Sequence, residues 1–321
     1  MTTQIRNHHD GDCFDLLRLL AAYMVLWSHQ YGLMKLPEPA WLANGGEAAL
    51  LIFFSISGYL NGMSILRKPS WWQFLVRRAK RIFPGAAGAA LFCAIIGAFL
   101  TTADLTRYAA AAVSFVLKNT FILFGLQFNL PGVFETNPYL AAVNGSLWSL
   151  VIELRFYIYL AIVALLVRYR PAILMALSLI AIPMLILAFP GATSQPFGIV
   201  FVFGVLIAAA EAHLKHALLP CVLAAALFAA IGSWLPLICL LIILAGRIKI
   251  HTKQPPIDIS YGVYLYAFPV QQFIISQQIG FWPGLGLSLA VATALGVLSA
   301  LLIEQPALRW RIDGLRVQLA N

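Results

Sequence analysis

Residues 14–34 read FDLLRLLAAYMVLWSHQYGLM, a run dominated by apolar side chains. A helix needs about 20 such residues to cross the hydrocarbon core of a bilayer. Comparable runs recur almost to the end of the chain. The candidate spans are Phe14–Met34, Gly46–Leu66, Ile82–Leu100, Tyr108–Leu126, Ser146–Val167, Pro171–Phe189, Pro196–Ala210, Ala217–Ile231, Trp234–Ala245, Ile259–Ile279 and Pro283–Ile303. We therefore predict an all-α, polytopic transmembrane helical bundle.

The composition agrees with this prediction. Of 321 residues, 61% are hydrophobic and 10% are charged, whereas a soluble domain carries about 25% charged residues. So few charges cannot cover a surface that faces water. Because no polar stretch is long enough for a soluble domain, we expect one integral-membrane domain over residues 1–321.

The net charge of +9 does not indicate nucleic-acid binding. The excess positive charge lies in short segments between apolar runs, where it orients membrane helices, and no basic stripe with interleaved aromatics is present. The four cysteines have neither metal-ligand nor disulfide-framework spacing. We expect no metal site and no tightly bound cofactor.

Positive residues predict the orientation, since Lys and Arg concentrate in cytoplasmic loops. The segments expected inside carry Arg67, Lys68, Arg77, Arg78, Lys80 and Arg81; Arg168 and Arg170; Arg247, Lys249 and Lys253; and Arg309, Arg311 and Arg316. The stretches Leu36–Asn44 and Asn129–Asn144 are nearly free of positive charge and are expected outside. Both termini are then cytoplasmic, in a multi-pass protein of the cytoplasmic membrane.

One candidate conflicts with this orientation. Three apolar runs lie between Arg81 and Arg168, although both residues are expected inside, which requires an even number of crossings. The weakest run, Tyr108–Leu126, contains Lys118, and a lysine at the bilayer centre costs about 2.5 kcal/mol or more. We predict that this segment is re-entrant or interfacial, which leaves about ten spans.

Ionisable residues in the first span are candidates for function, because charge inside a membrane needs a partner or a purpose. Arg18 and His29 are eleven residues apart, so they share a helix face roughly 16 Å apart along the axis. Asp15 lies one turn before Arg18. The alternative interpretation is an interfacial Asp15–Arg18 salt bridge with a histidine that only packs helices.

Further polar residues follow in the later apolar runs. Ser57 and Gly58 lie within Phe53–Tyr59, where small residues also serve close helix packing. After a short loop, Arg78 and Arg81 are one turn apart, which suits gripping a phosphate but is also ordinary positive-inside charge. Glu153 lies about two turns into the fifth candidate span, a depth at which a carboxylate is rarely without a role.

These motifs in this order resemble the membrane-bound acyltransferase 3 family over essentially the whole chain. The resemblance rests on Arg18 with His29 ten residues between them, preceded by Asp15; Phe53, Phe54, Ser57 and Gly58; Arg78, Arg81 and Pro84; Ser146, Leu147, Trp148, Leu150, Glu153 and Tyr157; Ser260, Tyr261, Tyr264 and Leu265; and Glu304 and Pro306. One departure is Tyr266 followed by Ala267, where the family often has a histidine. We interpreted Asp258–Tyr264 and Glu304–Pro306 on their own as helix caps and stops.

The resemblance implies transfer of an acyl group, in most cases acetyl, from acyl-coenzyme A to a carbohydrate or a lipid-linked glycan. His29 is then the expected general base, with a pKa of about 6.5 when unperturbed. Glu153 is expected to orient the imidazole or to bind the acceptor. Ser57 is a candidate to donate a hydrogen bond or to carry a transient acyl group. Arg18, Arg78 and Arg81 are expected to bind the phosphates of the donor.

Two other classes of protein remain open at this point. In a secondary transporter, the intramembrane His29, Arg18 and Glu153 would form a relay, although no internal repeat or matching pair of broken helices is visible. A structural subunit of an envelope complex would not need the Arg18–His29 stripe. The sequence does not reveal the acceptor, the acyl length or the oligomeric state.

Overall fold

The computed structural model describes residues 12–67, 70–139, 142–166, 170–188, 191–249 and 257–309. These residues form helices and connecting segments, with a single isolated β-bridge between Asn129 and Ala142. The helices are α1 (Phe14–Leu33), α2 (Gly45–Arg67), α3 (Trp71–Leu100), α4 (Leu105–Thr120), α5 (Trp148–Leu166), α6 (Pro171–Ala188), α7 (Gln195–His213), α8 (Leu218–Ala230), α9 (Leu235–Gly246), α10 (Ser260–Ser276), α11 (Phe281–Ser299) and α12 (Gln305–Arg309). The predicted all-α class is confirmed for this part of the chain.

Five helical stretches are long and apolar enough to cross a membrane: Gly45–Arg67, Trp71–Leu100, Trp148–Leu166, Gln195–His213 and Phe281–Arg309. Shorter apolar helices cover Pro171–Leu187, Leu218–Ala230 and Leu235–Gly246. The predicted total of about ten spans stays a prediction. Five of the residues used to orient the chain, Lys68, Arg168, Lys253, Arg311 and Arg316, lie outside the described residues.

Two of the predicted boundaries were wrong. The basic residues Arg77–Arg81 do not lie in a short loop, because α3 already begins at Trp71, where the Ser70 side chain accepts a hydrogen bond from the Gln73 amide. Pro306 does not stop the last helix either. A π-helical turn over Ala300–Glu304 joins α11 to α12, which continues to Arg309.

Helices α2 and α7 form the tightest pair in the core, and small residues allow their backbones to approach. A side chain at Gly58 would overlap the carbonyl oxygen of Phe201 on α7. A Cβ at Gly204 would come within 2.7 Å of the backbone nitrogen of Tyr59. The glycine of the Phe-Phe-x-x-Ser-Gly motif therefore has a packing role, as membrane helices often require.

Helix α4 runs back along α3. At its start, the Tyr108 hydroxyl donates to the carbonyl of Ala94 at 2.5 Å. At its end, the rings of Phe121 and Phe83 lie 6.3 Å apart. The chain then returns, since the Thr101 hydroxyl at the end of α3 donates to the Pro131 carbonyl at 2.7 Å. The segment between Thr101 and Pro131 therefore begins and ends at the same end of α3.

Candidate functional site

One cavity, of about 120 Å³, lies where α1, α2, α3, α5 and α10 meet. It is called the arginine cavity here. Five of the six site residues expected from the sequence line it: Arg18, Ser57, Arg78, Arg81 and Glu153. Residues from four helices far apart in the sequence therefore converge on one space.

Asp258 and Glu304 hold two of the three arginines. Arg81 donates to the Asp258 carboxylate and lies 3.8 Å from the Glu304 carboxylate. Arg18 lies 3.4 Å from Asp15 and 3.8 Å from Asp258. The expected Asp15–Arg18 pair thus exists, but it belongs to a larger network that ties α1 to α3 and to the start of α10.

Asp258 is both a helix cap and an ion-pair partner. Its carboxylate accepts hydrogen bonds from the Ser260 amide at 2.9 Å and the Ser260 hydroxyl at 2.6 Å. Burial raises the pKa of this carboxyl, but the guanidinium groups of Arg81 and Arg18 outweigh burial, so the net pKa lies below its ordinary value. The interpretation of Asp258 and Glu304 as purely structural termini was therefore incomplete.

Arg78 differs from the other two arginines. Within the described residues, its guanidinium has no carboxylate partner, and its buried Nε has no hydrogen-bond acceptor. The guanidinium carbon lies 5.5 Å from the Phe74 ring centroid and 5.8 Å from that of Tyr157. Aromatic faces stabilise a cation without occupying its hydrogen-bond donors, so Arg78 has donors available for an anion.

Arg78 and Arg81 also line a second opening on the outside of α3, of about 440 Å³, called the basic pocket here. Arg77 lines the same pocket and has a buried guanidinium nitrogen that makes no hydrogen bond. Lys80 is a further lining residue. The basic pocket and the arginine cavity therefore share two lining residues, Arg78 and Arg81, and both of these are cations.

Glu153 lies within a group of hydroxyls in the arginine cavity. The Tyr157 hydroxyl, one turn further along α5, donates to its carboxylate, and the Ser57 hydroxyl lies 3.3 Å from the same oxygen. The Ser57 and Tyr157 hydroxyls are 3.0 Å apart. The Asn61 amide donates to Ser57 Oγ at 3.1 Å. Hydrogen bonding thus fixes the position of both hydroxyls.

His29 lines a different space, of about 470 Å³, called the histidine cavity here. Its other walls include Glu47 near the start of α2, Trp148 at the start of α5, and Gln195 at the start of α7. The imidazole packs edge-to-face on Phe268, with ring centroids 5.5 Å apart. Its Nδ1 is buried and has no hydrogen-bond partner in the described residues.

The two cavities adjoin, because Leu50 and Tyr264 line both. The Tyr264 hydroxyl is fixed by the Ser146 carbonyl and the Ser149 hydroxyl, each at 2.7 Å. The isolated reading of Asp258–Tyr264 as a cap overlooked the tyrosine at this boundary. The signal was present in the Ser-Tyr-x-x-Tyr-Leu motif that supports the resemblance.

The expected partnership of Glu153 with His29 is not seen. The carboxylate bonds to Ser57 and Tyr157, whereas the imidazole contacts Phe268. Tyr266, at the position where the family often has histidine, packs against Phe92 on α3 at 5.3 Å between ring centroids. It lines neither cavity.

Within the described residues, no group of three or more histidine, cysteine or acidic side chains is arranged to hold a metal ion. The four cysteines are free and buried.

Comparison with known proteins gives consistent relatives. A family model described as an acyltransferase domain, that of acyltransferase 3, matches residues 12–304. An O-acetyl transferase of Shigella phage Sf6 is 32% identical over 324 residues, which covers 92% of this chain and 96% of the phage protein. Nodulation protein 10 of Rhizobium leguminosarum bv. viciae is 28% identical over 345 residues, covering 93% of each chain.

No solved structure gives a significant match to this chain. The family model covers nearly the whole sequence, including the segments that carry the arginine and histidine cavities. The apolar helices agree with a membrane protein. This chain belongs to the acyltransferase 3 family and is an enzyme that transfers acyl groups.

Proposed function

We propose that this protein is a membrane O-acyltransferase that moves an acetyl group from acetyl-coenzyme A to a hydroxyl of a carbohydrate or lipid-linked glycan of the cell envelope. The observation that carries the proposal is the pair of adjoining cavities, one lined by arginines and one by a histidine. A donor with phosphates and an acceptor with a hydroxyl need such different surroundings. The name of the phage relative supports acetyl as the group transferred.

The arginine cavity and the basic pocket face the cytoplasm in this proposal, and the histidine cavity faces outward. Positive residues at the cytoplasmic ends of the helices support this orientation. Both termini are then cytoplasmic, in the cytoplasmic membrane. The path of α4, which leads back to Thr101 at the end where it began, supports a re-entrant segment among ten spans.

The basic pocket receives the phosphates of the donor. Arg78 is the first ligand, with Arg77 beside it, because their buried guanidinium nitrogens lack acceptors among the described residues. Arg81 and Arg18 contribute positive potential, while their carboxylate partners fix their positions. The thioester end of the donor then enters the arginine cavity, which is too small for the nucleotide.

The hydroxyl group of the acceptor loses its proton to His29 as its oxygen attacks the thioester carbonyl. An ester C–O bond forms and the C–S bond breaks, and the proton passes to the departing thiolate. Histidine suits this role because its neutral imidazole can accept a proton from a hydroxyl group. The buried Nδ1 without a partner supports His29, since that atom has room for a new hydrogen bond.

The hydroxyls of Ser57 and Tyr157 line the arginine cavity, where the thioester end of the donor lies in this proposal. We assign them to positioning the acyl group, with Glu153 fixing their orientation, and a hydroxyl that turns its single proton from Glu153 to the substrate can stabilise the oxyanion. Direct transfer is the simpler route, because Ser57 already bonds to Glu153 and Tyr157 in the cavity. Direct transfer requires the thioester carbonyl to lie at the boundary formed by Leu50 and Tyr264, where the acceptor hydroxyl beside His29 can attack it.

The test is transfer of labelled acetyl from acetyl-coenzyme A by the purified chain in vesicles, with envelope glycans as acceptors. Label bound to glycan supports the proposal, and mass spectrometry of glycans with and without the gene identifies the acceptor. Movement of substrate without acyl transfer would instead favour a carrier, with His29, Arg18 and Glu153 as a relay. Absence of transfer to every envelope glycan would contradict the proposed class of acceptor.

A further inference from the structure

Glu47, an exposed carboxylate in the first turn of α2, lines the histidine cavity. Among the carboxylates in the described residues, it is the one for which no hydrogen bond, ion pair or other electrostatic contact exists. Other carboxylates cap helices or hold arginines. A carboxylate on a cavity wall, without a partner, accepts hydrogen bonds from whatever fills that cavity.

The histidine cavity contrasts in charge with the arginine cavity. Three arginines line the arginine cavity, whereas the described residues that line the histidine cavity include neither lysine nor arginine. Glu47 is the charged group there, apart from the titratable His29 and the hydroxyl of Tyr264. An acidic ligand would meet a like charge, and no lysine or arginine among the described lining residues offsets it.

The remaining walls suit a polyhydroxylated ligand. The indole of Trp148 and the ring of Tyr264 supply flat apolar surface, and Thr193 and Gln195 add polar groups. The volume of about 470 Å³ falls within the range of about 300–1,000 Å³ for small-molecule sites. A sugar ring has an apolar face for an aromatic side chain and hydroxyls for a carboxylate.

From these observations we infer that the histidine cavity selects an uncharged or amino-bearing sugar unit over an acidic one, and that Glu47 is the residue that makes this selection. The inference rests on the proposed O-acyltransferase function and adds the class of the acceptor. Glu47 accepts hydrogen bonds from two ring hydroxyls or from an amino group, and it repels a uronic acid or a phosphorylated sugar. His29, on the same cavity wall, then faces the hydroxyl to be acylated.

The experiment uses the full chain in detergent and three size-matched trisaccharides, built from a neutral hexose, an amino sugar and a uronic acid. Binding is measured by equilibrium dialysis and acetyl transfer by labelled acetyl-coenzyme A. The wild-type protein should bind the neutral and amino trisaccharides roughly tenfold or more tightly than the acidic one, as expected for hydrogen bonds to a charged group. Glu47→Lys should abolish or reverse this preference.

A second variant of Glu47 is compared with a control variant that makes the same change in net charge elsewhere on the protein. Glu47→Gln and Gln277→Lys each raise the net charge by one unit. Gln277 is exposed beyond the end of α10 and lines neither cavity. Only Glu47→Gln should reduce the preference for uncharged and amino trisaccharides. An equal change in both variants would overturn the assignment to Glu47.

The remaining outcomes separate this inference from the proposed function. Tighter binding of the acidic trisaccharide, no binding of any trisaccharide, or a preference that survives Glu47→Lys would overturn the inference, even if another hydroxyl compound is acetylated. Binding with the expected preference but without acetyl transfer would contradict the proposed function and leave the assignment of the cavity in place.

Discussion

The arginine cavity and the histidine cavity are both lined by Leu50 and Tyr264, but they differ in how many of their polar groups have hydrogen-bond or ion-pair partners. In the arginine cavity, Arg81 and Arg18 are held by carboxylates, and Glu153 is held by hydroxyls. In the histidine cavity, Glu47 and the Nδ1 of His29 have no partners among the described residues. One region is organised before a ligand arrives, whereas the other leaves its hydrogen-bonding groups for the ligand to satisfy.

The difference has a physical reason. Buried charges inside a helical bundle are costly unless they are paired, so a cluster of arginines at helix ends requires carboxylates nearby. A cavity with one exposed carboxylate bears a smaller cost, because water solvates it until the ligand enters. Arg78 lies in the organised region but forms no ion pair with a carboxylate in the part of the chain that the structure describes.

The largest expected effect comes from removing the proposed base. His29→Ala should lower acetyl transfer at least about 100-fold, the usual contribution of a general base, with donor binding unchanged. Labelled-acetyl transfer and donor dialysis measure the two quantities. His213→Ala is the matched control, since His213 is exposed at the end of α7. Unchanged turnover in His29→Ala would exclude it as the base.

Arg78→Ala should have the next largest effect, and it should act on donor binding in the basic pocket. Loss of charge-assisted hydrogen bonds worth about 1.5–3 kcal/mol should raise the KM for acetyl-coenzyme A roughly 10- to 100-fold. Arg67→Ala, at the exposed end of α2, controls for loss of a positive charge at the same end of the bundle. A KM equal to that of the control would show that Arg78 does not bind the donor.

Tyr157→Phe sharpens the role of the hydroxyl group near Glu153. One neutral hydrogen bond contributes about 0.5–1.5 kcal/mol, so we expect a fall in kcat of roughly fivefold with little change in KM. Tyr159→Phe, on the exposed face of the same helix, should have no effect. If KM rises and kcat is unchanged, Tyr157 acts in donor binding and not in stabilising the oxyanion.

The smallest effect is expected from Asp258→Asn. The asparagine oxygen can still accept the hydrogen bond from the Ser260 amide, and Arg81 still has Glu304 as an ion-pair partner. The side chain of Asp258 is 14% exposed, and asparagine still offers an oxygen to Arg81, so loss of the charge should destabilise the fold by about 1 kcal/mol and lower the thermal midpoint in detergent by a few degrees.

The same variant has a pH signature. Because the folded-state pKa of Asp258 is depressed, its stabilising contribution is complete above the ordinary carboxyl pKa and is lost as the pH falls through the lowered folded-state value. The difference in thermal midpoint between wild type and Asp258→Asn should therefore shrink in acid. A difference that stays constant with pH would show that these ion pairs do not contribute to stability.

Much of the helix content could be predicted from the sequence, because an apolar run of sufficient length is a local property. The predicted start of the first span at Phe14 agrees with α1, and the candidate beginning at Pro171 agrees with α6. The start of α3 was missed because positive residues from Arg77 to Arg81 resemble a loop. Their side chains extend beyond the helix into the basic pocket, so charge did not prevent helix formation.

Five of the six residues predicted for the site line one cavity, and the Asp15–Arg18 pair was predicted, but the other pairings were not. Arg18, Ser57, Arg78, Arg81 and Glu153 were all selected, and they share the arginine cavity. The partners of Arg81 were not, since Asp258 is 177 residues away in the chain. Glu47 was missed because a single carboxylate near the start of an apolar helix carries no signal by itself.

The sequence by itself determined that this is a helical membrane protein and where its ionisable residues interrupt the apolar runs, because the length and charge of a segment are local properties of the chain. Only the tertiary structure decided that His29 and Glu153 lie in different cavities and that Arg78 forms no ion pair with the described carboxylates. Those facts depend on how helices distant in the chain pack and rotate against one another. Side-chain neighbours are set by that packing, which no single helix specifies.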